Sequence, residues 1–311
     1  MTDQTTRTAA GSDRGAASMA FGLVRACRPK QWAKNVLVFV APAAAGVIDT
    51  PYRVRLTLIG FVAFCLVSSA TYLLNDVLDV ESDRRHPTKR DRPIASGAVP
   101  IPVALVSAAV LFVAGVGLAL SNNSDLALIV AGYVVLTTTY SMLLKTIPVI
   151  DVVVLSAGFI LRLLGGAFAA EVDVSDWFLI ISLFGSLFIA SAKRFAEKRE
   201  LGEDAASLRP TLGQYSIEYL GLLRSVSVAA LVISYCMWAV ERADGDPAAG
   251  LAAATPWLQL SIVPFLIAVL QYALLVDQGK GAAPEDVILH DRLMQIMGVL
   301  WALTLAIGIY L

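Results

Sequence analysis

Cysteine and histidine are scarce: three cysteines (Cys27, Cys65, Cys236) and two histidines (His86, His290) are spread over 311 residues. None of the cysteines stands in a C-x-x-C spacing, which excludes a zinc ribbon and a disulfide framework. Cys65 and Cys236 read instead as small apolar fillers in helices. Charge is short as well, at 16% of residues against a globular norm of about 25%. A soluble domain of this length would need a charged exterior that the composition does not supply. With a net charge of −1 there is no sustained basic excess to displace counterions, so nucleic acid is excluded as the main partner. What is abundant is apolar: 57% hydrophobic residues and a mean hydropathy of +0.71. The lipid bilayer is the solvent this chain is built for.

Residues 1–21 carry no apolar run and are rich in Thr, Ser, Ala and Gly, which reads as a disordered cytoplasmic tail and not as a signal peptide. Residues 22–311 read as one all-α, polytopic membrane domain. Apolar stretches of membrane-crossing length predict nine spans, near 35–49, 55–75, 100–120, 126–144, 147–170, 177–195, 217–240, 256–276 and 291–311. Lysine and arginine crowd one set of connections: Arg25 to Lys34, Arg84 to Arg92, Lys145, Lys193 to Arg209, and Lys280 with Arg292. The opposite set holds Arg53, Arg55 and Arg242. The asymmetry places the N-terminus and the basic loops in the cytoplasm and, with an odd number of spans, the C-terminus outside. Gly158, Gly165 and Gly166 in the fifth span read as close-packing positions. Self-association is left open.

The segment that carries chemistry runs from Asn75 to Ile94, NDVLDVESDRRHPTKRDRPI. If the second span continues helically into the cytoplasm, Asp76, Asp79 and Asp83 fall on one face, and Glu81 points about 140° away from Asp76. Three convergent carboxylates repel unless a cation joins them. A hard divalent ion completed by substrate phosphate oxygens, Mg2+ above all, is the usual solution. Asn75, one turn below Asp79, adds a carbonyl. Lys89, Arg90 and Arg92 follow on a loop stiffened by Pro87 and Pro93. Acids beside such cations make a diphosphate site. The bland reading, a solvated helix end pairing with its own arginines, leaves the single stripe of acids unexplained.

This N-D-x-x-D-x-x-x-D segment, with H-P-x-K-R-x-R-P-I after it, resembles the first aspartate-rich motif of the UbiA superfamily of intramembrane prenyltransferases. The resemblance implies about nine helices, a Mg2+-diphosphate at the cytoplasmic mouth of the bundle, and cleavage of the donor's C–O bond. The chain departs from the superfamily after the sixth span. Where a second acidic motif is expected it has Lys193-Arg194-Phe195-Ala196-Glu197-Lys198-Arg199-Glu200. That departure, with Arg28-Pro-Lys30-Gln-Trp32-Ala-Lys34-Asn35 and the Pro284-Glu-Asp-Val and Asp291-Arg292 stretches, resembles the decaprenyl-phosphate phosphoribosyltransferase branch. This resemblance implies 5-phosphoribosyl 1-diphosphate (PRPP) as donor, a polyprenyl phosphate as acceptor, and a product feeding cell-wall arabinan. A UbiA-type enzyme that prenylates an aromatic or quinone-precursor acceptor is the alternative. It shares the metal motif but calls for acids in place of Lys193 and Arg194.

On this reading Asp76, Asp79 and Asp83 hold Mg2+ on the PRPP diphosphate, with Asn75 in support, and Lys89, Arg90 and Arg92 neutralise the leaving group. Lys193 and Arg194 hold the 5-phosphate, although Lys193 and Glu197 at i, i+4 would also simply pair. Lys30, Lys34, Lys145 and Arg162 are candidates for the acceptor phosphate. Arg162 lies inside the fifth span, so it either pairs with a carboxylate such as Asp151 or meets a phosphate. Tyr140 and Lys145 resemble a tyrosine–lysine pair of the superfamily, and Lys145 also reads as a positive-inside anchor. Gln31 and Trp32 read as an interfacial anchor. A secondary transporter is disfavoured, because its site would sit in broken helices at the midplane.

Overall fold

A computed structural model describes residues 18–202, 210–244, 256–279, 287 and 290–311. Most of the predicted tail lies outside these residues, but 18–26 are helical, so regular structure begins before residue 22. The first crossing is unusual. Residues Pro29–Phe39 form a 3-10 helix, followed by α1 (Val40–Ala44). A 3-10 helix rises about 2.0 Å per residue, so its eleven residues extend about 22 Å and α1 adds about 7 Å. Sixteen residues thus carry the chain from Arg28, beside Asp76, to Ala43, beside Tyr310. The sequence places this span at 35–49, whereas the crossing starts at Pro29, whose ring and missing N–H suit a first helical position.

Among the described residues, eight helices are long and apolar enough to cross a membrane. They are α2 (Pro51–Leu78), α4 (Ile101–Asn122), α5 (Ser124–Met142), α6 (Ile150–Ala169), α7 (Asp176–Leu201), α9 (Ile217–Asp244), α10 with α11 (Trp257–Leu260 and Ile262–Asp277), and α12 (Arg292–Tyr310). The short α3 (Val80–Arg85) extends α2, and α8 (Pro210–Gln214) precedes α9. Among the described residues there is no strand.

Buried Val38, Phe64, Val67, Leu126 and Val130 join the first crossing to α2 and α5. Leu73, Ile94, Val99 and Ala104 pack the loop after α3 beneath α2 and α4. Phe188, Leu212, Leu220 and Tyr272 tie α7, α8, α9 and α11 together. Glycine permits the closest approach. A Cβ on Gly166 would collide with the Val38 carbonyl, and one on Gly165 with the Phe64 ring, so both glycines hold α6 against the first crossing and α2. Gly158 has only the Arg162 guanidinium nearby.

Cross-bundle contacts fix which ends coincide. Arg28 meets Asp76, Lys145 meets Asp79, and Lys198 donates to the Leu212 carbonyl at the basic end. At the other end Arg53 pairs with Glu171, and Tyr310 donates to the Ala43 carbonyl at 3.1 Å.

Candidate active site

The acidic stripe survives a break in its helix. Asp79 caps α2 with φ −94° and ψ 6°, yet i→i+4 hydrogen bonds continue from Asp79 N to Asn75 O and from Asp83 N to Asp79 O. The helical phase is therefore kept through α3. Asp76 and Asp83 turn inward, 2% and 3% exposed, while Glu81 faces solvent and pairs with Arg84 at 2.9 Å.

Two arginines from different parts of the chain meet the inward acids. Arg28 donates from Nη2 to Asp76 Oδ1 at 2.5 Å, with its guanidinium over the Tyr72 ring. Its left-handed backbone, φ 53° and ψ 61°, turns the chain into the 3-10 helix at this point. Arg92 reaches Asp83 Oδ2 at 2.7 Å and Asp76 Oδ1 at 3.3 Å. Asp79 points elsewhere, to Lys145 Nζ at 3.1 Å. Among the described residues no three acidic, histidine or cysteine side chains gather as a ready-made metal cluster. Asp76 and Asp83 share Arg92, whereas Asp79 has its own cation in Lys145. The Asn75 Oδ1 is buried with no hydrogen-bond partner. A hard oxygen donor left unsatisfied beside carboxylates is what an oxophilic divalent cation would take up, so the donor set fits Mg2+.

Beside this cluster lies a second, buried constellation. Asp151, fully enclosed at the start of α6, accepts from Arg194 Nε at 2.8 Å and from the Tyr215 hydroxyl at 2.5 Å. Arg194 also donates to Glu197 Oε2 at 2.6 Å and to the Tyr140 hydroxyl at 3.0 Å. With 1% of its surface exposed and two carboxylates engaged, Arg194 has no face to offer a phosphate. The sequence assigned it to the 5-phosphate, and the fold makes it a structural ion pair. Lys193 is different: 39% of its side chain is exposed, and its Nζ is 4.0 Å from Glu197.

Arg162 corrects a second expectation. It meets neither Asp151 nor an open surface but three neutral oxygens: Asn35 Oδ1 at 2.8 Å, Gly158 O at 2.7 Å and Tyr133 OH at 2.7 Å. The Tyr133 ring lies under the guanidinium at 4.7 Å, a cation–π contact that offsets part of the burial cost. Trp32 is not confined to an interface either, since its indole donates to Ser69 Oγ at 3.0 Å. Lys34 donates to Gln31 at 2.7 Å, and Lys30, Lys89 and Arg90 are solvent-exposed.

The structure thus brings Asn75, Asp76, Asp79, Asp83, Arg92 and Lys145 to one place, joins Tyr140 to Arg194 next to it, and sets Arg162 apart. Sequence reasoning missed Arg28, Glu197 and Tyr215 as members of these networks. Arg28 had a signal, lying in the basic stretch from Arg25 to Lys34 and opening the Arg28-Pro-Lys30 segment. Tyr215 had none.

The UbiA prenyltransferase family model matches residues 35–306. A decaprenyl-phosphate phosphoribosyltransferase of Corynebacterium glutamicum is 41% identical over 299 residues, covering 94% of this chain and 88% of that protein. The protein of the same name from Mycobacterium tuberculosis is 40% identical over 297 residues, covering 94% and 96%. Among solved structures, a UbiA homolog from Archaeoglobus fulgidus bound to GPP and Mg2+ superposes with a TM-score of 0.68 at 17% identity, over 92% of this chain and 98% of that one. In fold and in sequence along almost its whole length, this chain belongs to the UbiA prenyltransferase family.

Proposed function

We propose that this protein transfers the 5-phosphoribosyl group of PRPP to decaprenyl phosphate, or a similar polyprenyl phosphate, with release of diphosphate. The observation that carries the reading is the second constellation. Where a second acidic motif would be expected, the buried Asp151 and the neighbouring Glu197 are both engaged by Arg194, and Lys193, 4.0 Å from Glu197, presents a cation with 39% of its side chain exposed. A donor bearing a further phosphate suits that cation. The roughly 40% identity to decaprenyl-phosphate phosphoribosyltransferases over 94% of the chain supports the same substrates.

The chain's own groups divide the work. Asp76, Asp79 and Asp83 with Asn75 would hold Mg2+, which when bound supplies positive charge to the leaving diphosphate. Arg28 and Arg92 already stand at these acids and are the cations a diphosphate there meets first, with Lys89 and Arg90 on the adjoining turn. Lys193 holds the 5-phosphate, and Lys145, with Lys30 and Lys34, takes the acceptor phosphate. That phosphate is anionic near neutral pH, so its oxygen attacks C1 of the ribose without a general base. The C1–O bond to diphosphate breaks as the new C1–O bond forms, inverting the anomeric centre. Positioning and charge stabilisation supply the catalysis. The site faces the cytoplasm, the C-terminus lies outside, and the product is a precursor of the arabinose donor for cell-wall arabinan.

The test is donor choice. Purified protein with Mg2+, polyprenyl phosphate and PRPP is expected to release diphosphate and yield a lipid phosphate heavier by one phosphoribosyl unit, read by mass spectrometry. Transfer of a prenyl chain from its diphosphate to an aromatic acid instead would overturn the reading.

A further inference from the structure

The loop that carries Lys145 is tied at both ends to one carboxylate. Its downstream end is strained. Val149 has φ 66° and ψ −51°, and Ile150 N donates to Pro148 O at 2.7 Å, which closes a three-residue turn of the rare, unfavourable hand. A β-branched residue at positive φ is a genuine outlier. Packing does not hold it there, because Val149 is 47% exposed. Its carbonyl accepts the first backbone bonds of α6, from Val152 N and Val153 N, and its amide is held by one hydroxyl. The Val149 N–H donates to Tyr215 OH at 2.6 Å, and that hydroxyl donates to Asp151 Oδ1 at 2.5 Å. Tyr215 is 4% exposed and its ring stacks on Tyr219. Burial, then the bond to the Asp151 carboxylate, raises its ionisation well above the ordinary tyrosine range, so the hydroxyl stays a donor.

The upstream end is tied through Arg194, which bridges the other Asp151 oxygen to the Tyr140 hydroxyl on the last turn of α5. Between the two ties stands Lys145, 3.1 Å from Asp79. We propose that Tyr215 is a positioning residue: by accepting the Val149 amide and donating to Asp151, it locks the turn that sets Lys145 against the acidic stripe. The inference rests on the reading that Lys145 serves the transfer reaction. It adds a group from beyond α7, distant in sequence from every acid of the stripe, whose removal acts through the loop and not through substrate contact. Strain held by surrounding structure beside a reacting site is a recognised means of pre-organisation.

The experiment uses the full-length protein in lipid with PRPP and polyprenyl phosphate. Tyr215→Phe removes both hydrogen bonds at little change in shape. It is expected to lower kcat/KM for the polyprenyl phosphate about tenfold and leave KM for PRPP within about twofold. Combined with Lys145→Ala it adds little, since both act through one group. Val149→Gly in the Tyr215→Phe background recovers at least threefold, because glycine adopts positive φ without penalty. Hydrogen exchange of residues 143–149 quickens in Tyr215→Phe while α2 and α7 stay protected. Additive losses with Lys145→Ala, failure of Val149→Gly to recover activity, or unchanged exchange in 143–149 would each overturn the proposal. If the wild-type protein gives no product from PRPP, the functional reading fails, and the exchange measurement still decides whether Tyr215 fixes the loop.

Discussion

At the scale of single residues, the difference between Lys193 and Arg194 has consequences that neighbouring cations would not suggest. Lys193→Ala removes a half-exposed ammonium and is expected to raise KM for PRPP about tenfold with the acceptor KM within about twofold, by steady-state kinetics. An equal effect on both substrates would move Lys193 out of the donor site. Arg194→Ala breaks a buried pair and leaves Asp151 charged without its main partner, a loss of about 3–5 kcal/mol. Its expected result is a lower thermal unfolding temperature and poor yield, not a selective change in KM. Asp76→Ala should reduce diphosphate release at least a hundredfold while the protein remains folded, and near-normal activity would refute the metal assignment. The inward turn of Asp76 and Asp83 and the outward turn of Glu81 were legible in the sequence, because residues within one helix keep a fixed angular relation. The partners of those acids were not. Arg28 meets Asp76 across 48 residues and Lys145 meets Asp79 across 66, and no local rule selects among the many cations at that end.

At the scale of elements, the first crossing shows how far a few residues reach along the bundle when the helix is stretched. The sequence read it as an ordinary span beginning near Asn35. In the structure Asn35 is already buried in the 3-10 segment, donating to Cys65 Sγ and Ser68 Oγ and accepting from Arg162. The close seat of this segment depends on Gly166, against the Val38 carbonyl. Gly166→Ala is therefore expected to push the first crossing off α6, at a cost of about 3 kcal/mol, and to lower the unfolding temperature measured in detergent. Normal stability in this variant would mean that the backbone approach is looser than described. The fifth-span glycines were legible as packing positions; that α6 packs on a 3-10 helix was not, because hydrophobic pattern does not distinguish 3.0 from 3.6 residues per turn over so short a stretch.

At the scale of the whole molecule, the contacts at the two ends make sidedness a single question. Ser96, exposed near the acidic stripe, and Asp173, exposed at the other end, should report oppositely. In a cysteine-free background, Asp173→Cys is expected to react with a membrane-impermeant maleimide on intact cells, and Ser96→Cys only after lysis. The reverse pattern would invert the orientation. By itself the sequence determined the membrane class, eight of the spans and the shared inward face of Asp76 and Asp83, since each follows from composition or from spacing along one helix. It also located the basic end, because lysine and arginine are counted without reference to fold. Tertiary structure alone decided that Arg194 is a buried ion pair, that Arg162 rests on neutral oxygens, and that Tyr215 reaches the Lys145 loop. Those outcomes depend on which helices pack side by side, and the free energy of burying a cation is set by the groups that packing brings around it.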